Sequence, residues 1–463
     1  MAMRLTIIGA GPGGYETAVR AAGLGIEVTI ISDGPLGGTC LNEGCIPTKS
    51  FCRNAQFVED LSKADAFGVE DLNYSFDFGK VLKRKNEVVE QLRNGVEFLM
   101  KGKNITLLRG KASLKDSKTV TVDGKDIASD YIIIATGSVP AFLPVPGSDS
   151  EGVLTSSDIL NLESVPKRLC VIGAGVIGLE FASIFRSFSS EVSVVEYCKD
   201  ILPRFDVDLA KRLKQALVKR GIAIDTSAQV QSIVKNKDGS LSVNYLKNEK
   251  ECSVEADKVL MAVGRRANMS SLNLAECGIE CSKRGVVVNE NMQTSIPNIY
   301  AVGDVTGGIM LAHVATFQGE RALNHILAVS SGKDADSPVD KIDFSIVPAA
   351  VFTNPELAVV GKTEEECKAE GLAFKCMKSF FRANGKAVSM AEPDGFVKII
   401  VSEGDEQHKK GQILGCHLFG AHASDIIQEV AAMMNGKATS EDLASVIHAH
   451  PTLGEVILSA VRS

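Results

Sequence analysis

Two cysteines five positions apart, Cys40 and Cys45, sit in the segment GGTCLNEGCIPTK that runs from Gly37 to Lys49. In a regular α-helix that spacing separates the Cα atoms by about 8–9 Å, more than the roughly 7 Å a disulfide tolerates. A bond between them therefore distorts the turn, with Gly44 supplying slack, and distorted disulfides are the easily reduced ones, which suits a catalyst better than a staple. Pro47 fits a helix that has just begun. Cys45 is then expected in a first helical turn, where the dipole lowers a thiol pKa. The plainer alternative is two reduced structural thiols. The chain has 11 cysteines, an odd number, scattered and without zinc-like spacing, which points to a reducing compartment. Cys170, Cys252 and Cys416 lie in apolar runs and read as small buried hydrophobes.

A second kind of chemistry is written twice. LTIIGAGPGGYETAVRAAGLGIEVTIIS (Leu5 to Ser32) and LCVIGAGVIGLEFASIFRSFSSEVSVVE (Leu169 to Glu196) each read as strand, glycine turn, helix and strand. Gly9, Gly11 and Gly14 in the first, and Gly173, Gly175 and Gly178 in the second, have G-x-G-x-x-G spacing. In such a turn the first glycine allows the tight bend, the second lets backbone approach a pyrophosphate, and the third lets helix lie close to strand. The helix N-terminus then offers free N–H groups to the phosphates. One such motif is weak evidence, but two in matching contexts predict two dinucleotide sites. Glu196, at the end of the second unit, is suited to hydrogen-bond a ribose 2′-OH and repel a 2′-phosphate, which favours NAD over NADP despite Lys199 nearby.

These motifs need scaffolds. A chain of 463 residues suggests about three domains, and 45% hydrophobic with 23% charged residues and 42 Gly is the composition of a soluble α/β protein. A net charge of −7 without a basic, aromatic-rich patch argues against nucleic acid. The absence of a long apolar run argues against a membrane span. A first strand at Arg4 leaves no room for a leader, so a cytoplasmic protein is expected. Each nucleotide unit is followed by a buried strand entering a glycine turn, DYIIIATGS and DKVLMAVGRRAN. The chain is expected to leave the first domain near Pro144 to Gly147 and return after about residue 270 through Asn298 to Val302. From about Ser345 it changes to strands (Ala349 to Phe352, Phe396 to Val401, Gln412 to Leu418) and helices (Ala423 to Gly436, Ser440 to Ile447).

With these motifs in order along the chain, the sequence resembles the pyridine nucleotide-disulfide oxidoreductases. CLNEGCIPTK resembles their redox site, ATGS (Ala135, Thr136, Gly137, Ser138) and NIYAVGD with Gly303 and Asp304 resemble their FAD fingerprints, and Leu311, Ala312 and His313 resemble a flavin-ring contact. HAHPTLGE, from His448 to Glu455, resembles their acid/base motif. The resemblance implies two Rossmann-like dinucleotide-binding domains, for FAD and NAD, plus a carboxy-terminal α+β dimerisation domain. The expected limits are 1–146 and 271–342 for FAD, 147–270 for NAD, and 343–463 for the interface.

It further implies that Cys40 exchanges with substrate, that Cys45 lies against the flavin, and that His450, oriented by Glu455, is the base, supplied from the other subunit of a homodimer. His448 lacks the adjoining Pro. Lys49 and Glu180 are implied to pair beside the flavin. FAD contacts are implied at Gly38, Thr39, Lys49 and Gly110, and NAD contacts at Ile177, Val230 and Gly264. The implied activity is NAD-linked oxidation of a dihydrolipoyl dithiol, with lipoyl domains of an acyltransferase or a glycine cleavage carrier as partners. A related reductase of another small disulfide, or a mainly docking subunit, are the alternatives. Ser32 stands where the family usually has Glu, so the FAD ribose falls to Asp33 or a main-chain group. Gln318, and Phe188 with Ser189 and Ser190, also depart from the pattern and are expected to lie apart from the electron path.

Overall fold

The computed structural model describes residues 2–333 and 336–463. Runs such as Tyr131–Ile134 are buried on both faces, with Ile132, Ile133 and Ile134 fully inaccessible, as a parallel strand between two helical layers demands. The first sheet is parallel, in the order Ile299–Ala301, Tyr131–Ile134, Arg4–Ile8, Glu27–Ser32 and Ile105–Arg109. Its edge strand Ile299–Ala301 thus comes from far down the chain. The second sheet repeats the plan with Ala223–Asp225, Glu191–Val195, Arg168–Ile172, Lys258–Met261 and Val153–Leu154, also parallel. Helices α1 (Pro12–Gly23), α2 (Gly38–Glu43), α3 (Cys45–Ser62) and α4 (Phe78–Leu99) precede this second unit. Within it lie α5 (Val176–Ser187) and α6 (Val207–Lys219), and α7 (Ala312–Ser330) follows.

The third sheet is antiparallel, in the order Ala349–Val351, Leu357–Gly361, Ile413–Phe419, Phe396–Ser402 and Phe374–Phe380. Its core includes Val397, Ile399, Leu418 and Ile457. Two small antiparallel sheets, Ala112–Ala128 and Ala228–Ala256, are absent from the sequence reading. Their strands mix apolar and polar residues and owe their order to pairing rather than to a strong hydrophobic pattern. The helix expected over Ser440 to Ile447 stops at Ala444. Ile447 is 97% exposed, so a longer helix would bury nothing there.

Close helix packing sets where the site can form. A Cβ on Gly319 of α7 would come within 1.9 Å of Thr17 Oγ1 on α1, and one on Gly13 would meet Ala315 at 3.0 Å. The two helices touch through glycine, which seats Leu311, the N-cap of α7, near the glycine turn of α1. Among the described residues no helix is long and apolar enough to cross a membrane.

Candidate active site

The redox segment is a broken helix. Gly44, at φ −141° and ψ −109°, ends α2 and starts α3. Cys40 therefore lies within α2 while Cys45 is the first residue of α3. Thr48 reinforces the break by donating both its N–H and its hydroxyl to Gly44 O, at 3.1 and 2.6 Å. The two cysteines are free thiols here, joined by a side-chain hydrogen bond. That bond, assisted by the Lys49 ammonium, brings Cys45 from 9.0 to about 7, against burial and Glu180, which act the other way. Cys40, the donor, is pushed up by the same bond and by burial. One thiolate is thus available near neutral pH, and it is the one at the helix N-terminus.

Lys49, one turn beyond Cys45, donates to both oxygens of Glu180 on α5, at 2.9 and 3.0 Å. Phe352 N donates to Glu180 Oε1 at 2.9 Å, and the Phe352 ring lies 4.3 Å beneath the Lys49 ammonium. The Glu180 side chain is 4% exposed. Its charge is matched by a cation and an N–H, as a buried carboxylate requires. The pair links the helix carrying Cys45 to the helix of the second glycine unit.

The glycine turns fit two dinucleotides on steric grounds. A Cβ at Gly9 or Gly14 would strike Ala135 O at 2.2 Å or Gly9 O at 2.0 Å, and Gly173 and Gly178 would strike Ala262 O at 2.4 Å and Gly173 O at 2.0 Å. Those four glycines are required by the protein itself. Gly11 and Gly175 are not: their φ values are −75° and −78°, open to any residue, and a Cβ would meet nothing closer than 3.9 Å at Gly11 and nothing within 4 Å at Gly175. Glycine there leaves room for something outside the protein, and neither helix has a side-chain cap on its N-terminal N–H groups. Both features suit a pyrophosphate.

Around the first turn, Gly37 N bonds Ala10 O, and Gly38 packs so closely that a Cβ would lie 2.7 Å from Gly11 Cα, with exposed Thr39 following. Thr136 Oγ1 donates to Asn268 O, and Gly137 turns at φ +70°. Ser138 Oγ donates to Asp304, and Arg265 Nε donates to Ser138 Oγ at 2.7 Å. Gln318 accepts the Gly303 N–H at 2.7 Å, so its amide does what a carboxylate could do there. His313 Nε2 meets Pro348 O at 2.9 Å. Gly110 N donates to Ser32 O, while Ser32 Oγ is spent on Gly34 O at 2.9 Å. Asp33 is exposed.

Around the second turn, Glu196 accepts from Ala174 N and Cys198 N, at 2.5 and 2.6 Å, and so braces the turn. Ile177 is half-buried, Gly264 is open, and Val230 is buried in the core of the second unit.

Gln318 holds the backbone beside Asp304. Phe188 packs edge-on against Phe51 of α3, with centroids 6.3 Å apart, and Ser189 takes the turn at φ +71°. The sequence reading missed Arg265, Glu59, Arg220 and Asn354. Arg265 adjoins Gly264, which was its only signal.

His450 Nδ1 lies 2.9 Å from Glu455 Oε1, and Glu455 Oε2 accepts Thr452 N at 2.7 Å. The Thr452 N–H and His450 hold Glu455 below the usual carboxylate range. The His450 side chain is 78% exposed, whereas that of His448 is 7% exposed and paired with Glu429 at 2.8 Å. Among the described residues no hydrogen bond joins His450 or Glu455 to the cysteines. The His450 imidazole is presented outward.

The family model for pyridine nucleotide-disulphide oxidoreductases matches residues 3–319, and the model for their dimerisation domain matches residues 347–461. The chain belongs to the pyridine nucleotide-disulphide oxidoreductases. Within this family it is 41% identical to a dihydrolipoyl dehydrogenase of Bacillus subtilis over 462 residues, covering 98% of this chain and 95% of the relative. It is 39% identical to one of Geobacillus stearothermophilus over 461 residues, with the same coverage. The identity is 40% to one of Chlamydia muridarum over 457 residues, 97% of this chain and 94% of the relative. Among solved structures, the HOCl-induced flavoprotein disulfide reductase RclA of Escherichia coli superposes with a TM-score of 0.85 at 29% identity, covering 99% of each chain. As a member of the family with its dimerisation domain, the chain is an α/β oxidoreductase built to pair with a second copy.

Proposed function

We propose that the chain is a dihydrolipoyl dehydrogenase, oxidising protein-bound dihydrolipoamide to lipoamide with FAD as internal carrier and NAD as acceptor. The observation that carries this reading is the Cys40–Cys45 dithiol beside the Lys49–Glu180 pair, between two glycine turns that each leave room for a pyrophosphate. Full-length similarity to dihydrolipoyl dehydrogenases supports the substrate.

Residues 1–146 and 271–342 hold FAD, 147–270 hold NAD, and 343–463 form the interface of a homodimer. Gly9, Gly11, Gly14, Gly38, Thr39, Ser138 and Asp304 line the FAD site, with Asp33 at its ribose. Gly175, Ile177 and Glu196 line the NAD site. The partners are lipoyl domains of an acyltransferase or a glycine cleavage carrier, in the cytoplasm.

With the pair oxidised, a dihydrolipoyl thiolate attacks Cys40 Sγ, and the Cys40–Cys45 bond breaks with Cys45 leaving as thiolate. His450 of the partner subunit takes the proton of the second substrate thiol. That sulfur attacks the first, the lipoyl ring closes, and Cys40 leaves and recovers the proton. Glu455 holds the imidazole through Nδ1, leaving Nε2 free to accept. Lys49 favours the Cys45 thiolate. FAD held at the first glycine turn would accept the electron pair as the Cys40–Cys45 bond re-forms and the Cys40 proton passes back to His450 of the partner subunit, and NAD held at the second would be the final acceptor.

The test measures turnover by the FAD-loaded dimer with dihydrolipoamide and NAD, against NADPH with glutathione disulfide. High turnover with the first pair supports the reading. Activity with another small disulfide instead would favour the RclA-like alternative, for which the structural similarity speaks.

A further inference from the structure

The lower half of α3 carries a second charged cluster that the reaction above leaves unused. Glu59 lies on the helix of Cys45 and Lys49, ten residues past Lys49, or about 15 Å along the axis. Its carboxylate pairs with Arg220, at the end of α6, and accepts from Ser187 Oγ on α5 at 2.5 Å and from Asn354 Nδ2. Arg220 in turn donates to Ser183 Oγ at 2.6 Å, to Asn354 O at 2.9 Å and to Ser187 Oγ at 2.9 Å. The side chains are 15% and 19% exposed.

Ser183 and Ser187 follow Glu180 along α5 by about one and two turns. Helices α3 and α5 are thus joined at Lys49–Glu180 and again at Glu59 with Ser187 and Arg220. Residues Phe352 to Asn354 lie between the two junctions: Phe352 N bonds Glu180, Phe352 O accepts from Cys52 Sγ at 3.4 Å, and Asn354 N bonds Ser183 Oγ at 3.2 Å. On α3 the upper charge is positive and the lower negative. Sliding the helix toward the other junction would set Glu59 against Glu180, so the two pairs define one register.

We propose that Glu59 is a positioning residue: with Arg220, Ser187 and Asn354 it fixes how α3 lies against α5 and so sets the distance of Cys45 from Glu180. Cys45 faces Cys40 from α2, Lys49 from its own helix, Glu180 from α5, and the Arg265 guanidinium from the strand after Gly264. Lys49 moves with Cys45 because one helix carries both. Glu180 lies on α5 and is tied to Lys49, and its charge disfavours the thiolate. Loosening the Glu59 junction frees α3 to pivot about the Lys49–Glu180 pair, and movement of Cys45 away from the Glu180 charge relieves that opposition.

This rests on the reading of Cys45 as the thiolate beside bound FAD. The test is the pH titration of the long-wavelength thiolate-to-flavin absorption in the two-electron-reduced, FAD-loaded dimer. Glu59→Gln is expected to lower its midpoint by about half a pH unit or more, with partial recovery in Glu59→Asp. Ser187→Ala, which keeps the ion pair, is expected to shift it the same way by less and decides the matter if Glu59→Gln does not fold. A midpoint unchanged or raised, with a lowered melting temperature, reduces Glu59 to a brace and overturns the proposal. Absence of a titrating band in the unaltered protein would instead remove the Cys45 assignment.

Discussion

The Lys49 ammonium bridges both carboxylate oxygens of Glu180, at 2.9 and 3.0 Å, across 131 residues of sequence. It stands one helical turn from Cys45 and favours the Cys45 thiolate, which forms at about pH 7. Lys49→Met is therefore expected to raise the Cys45 pKa toward the ordinary 9.0. A raised pKa means less thiolate at a given pH. Alkylation of the dithiol by iodoacetamide at pH 7 should slow by roughly tenfold and recover near pH 9. An unshifted rate profile would show that Lys49 does not act on this thiol.

The two kinds of glycine should separate on substitution. Gly175→Ala adds a methyl where nothing lies within 4 Å, so the melting temperature should hold while the KM for NAD rises by roughly tenfold or more. Gly173→Ala drives a methyl to 2.4 Å from Ala262 O at φ +105° and should cost about 1–3 kcal/mol of stability. Equal effects of both on folding would contradict the steric argument.

His450→Gln keeps a hydrogen-bonding side chain but removes the base. Reduction of the Cys pair by dihydrolipoamide is expected to fall by about 10²–10⁴-fold, while NADH oxidation by an artificial acceptor is spared. Parallel loss of both would point to a structural role. The Thr452 N–H and His450 hold Glu455 below its usual range, so its protonation is displaced to lower pH than that of a free carboxylate.

Glu196 accepts two backbone N–H groups in the glycine turn. Glu196→Gln keeps one acceptor and removes the negative charge. The preference for NAD over NADP, measured as a ratio of kcat/KM, should narrow by about tenfold. An unchanged ratio would leave Glu196 as a brace of the loop alone.

Gln318 accepts the buried Gly303 N–H at 2.7 Å. Gln318→Ala should cost about 1–3 kcal/mol and speed FAD loss on dilution, whereas Gln318→Glu should retain FAD. Equal retention in the alanine variant would show the bond to be dispensable.

Much of this molecule is local, and the sequence alone determined it. The strand, turn and helix from Arg4 to Gly23 and from Arg168 to Ser187 follow from apolar runs and glycine spacing, and the break at Gly44 that puts Cys45 at a helix start follows from Cys spacing and Pro47. His450 and Glu455 were legible because both lie within one turn and its following helix. What tertiary structure decided are relations between residues far apart in the chain. No motif marks Glu59, Arg220 or Asn354, and only the packing of α3 on α5 makes them one buried cluster. Gln318 meets Gly303 only because α7 lays it there. Helix and turn formation is set by dihedral preference and short-range hydrogen bonds, whereas these charges meet only after sheets and helices have stacked and water has left between them.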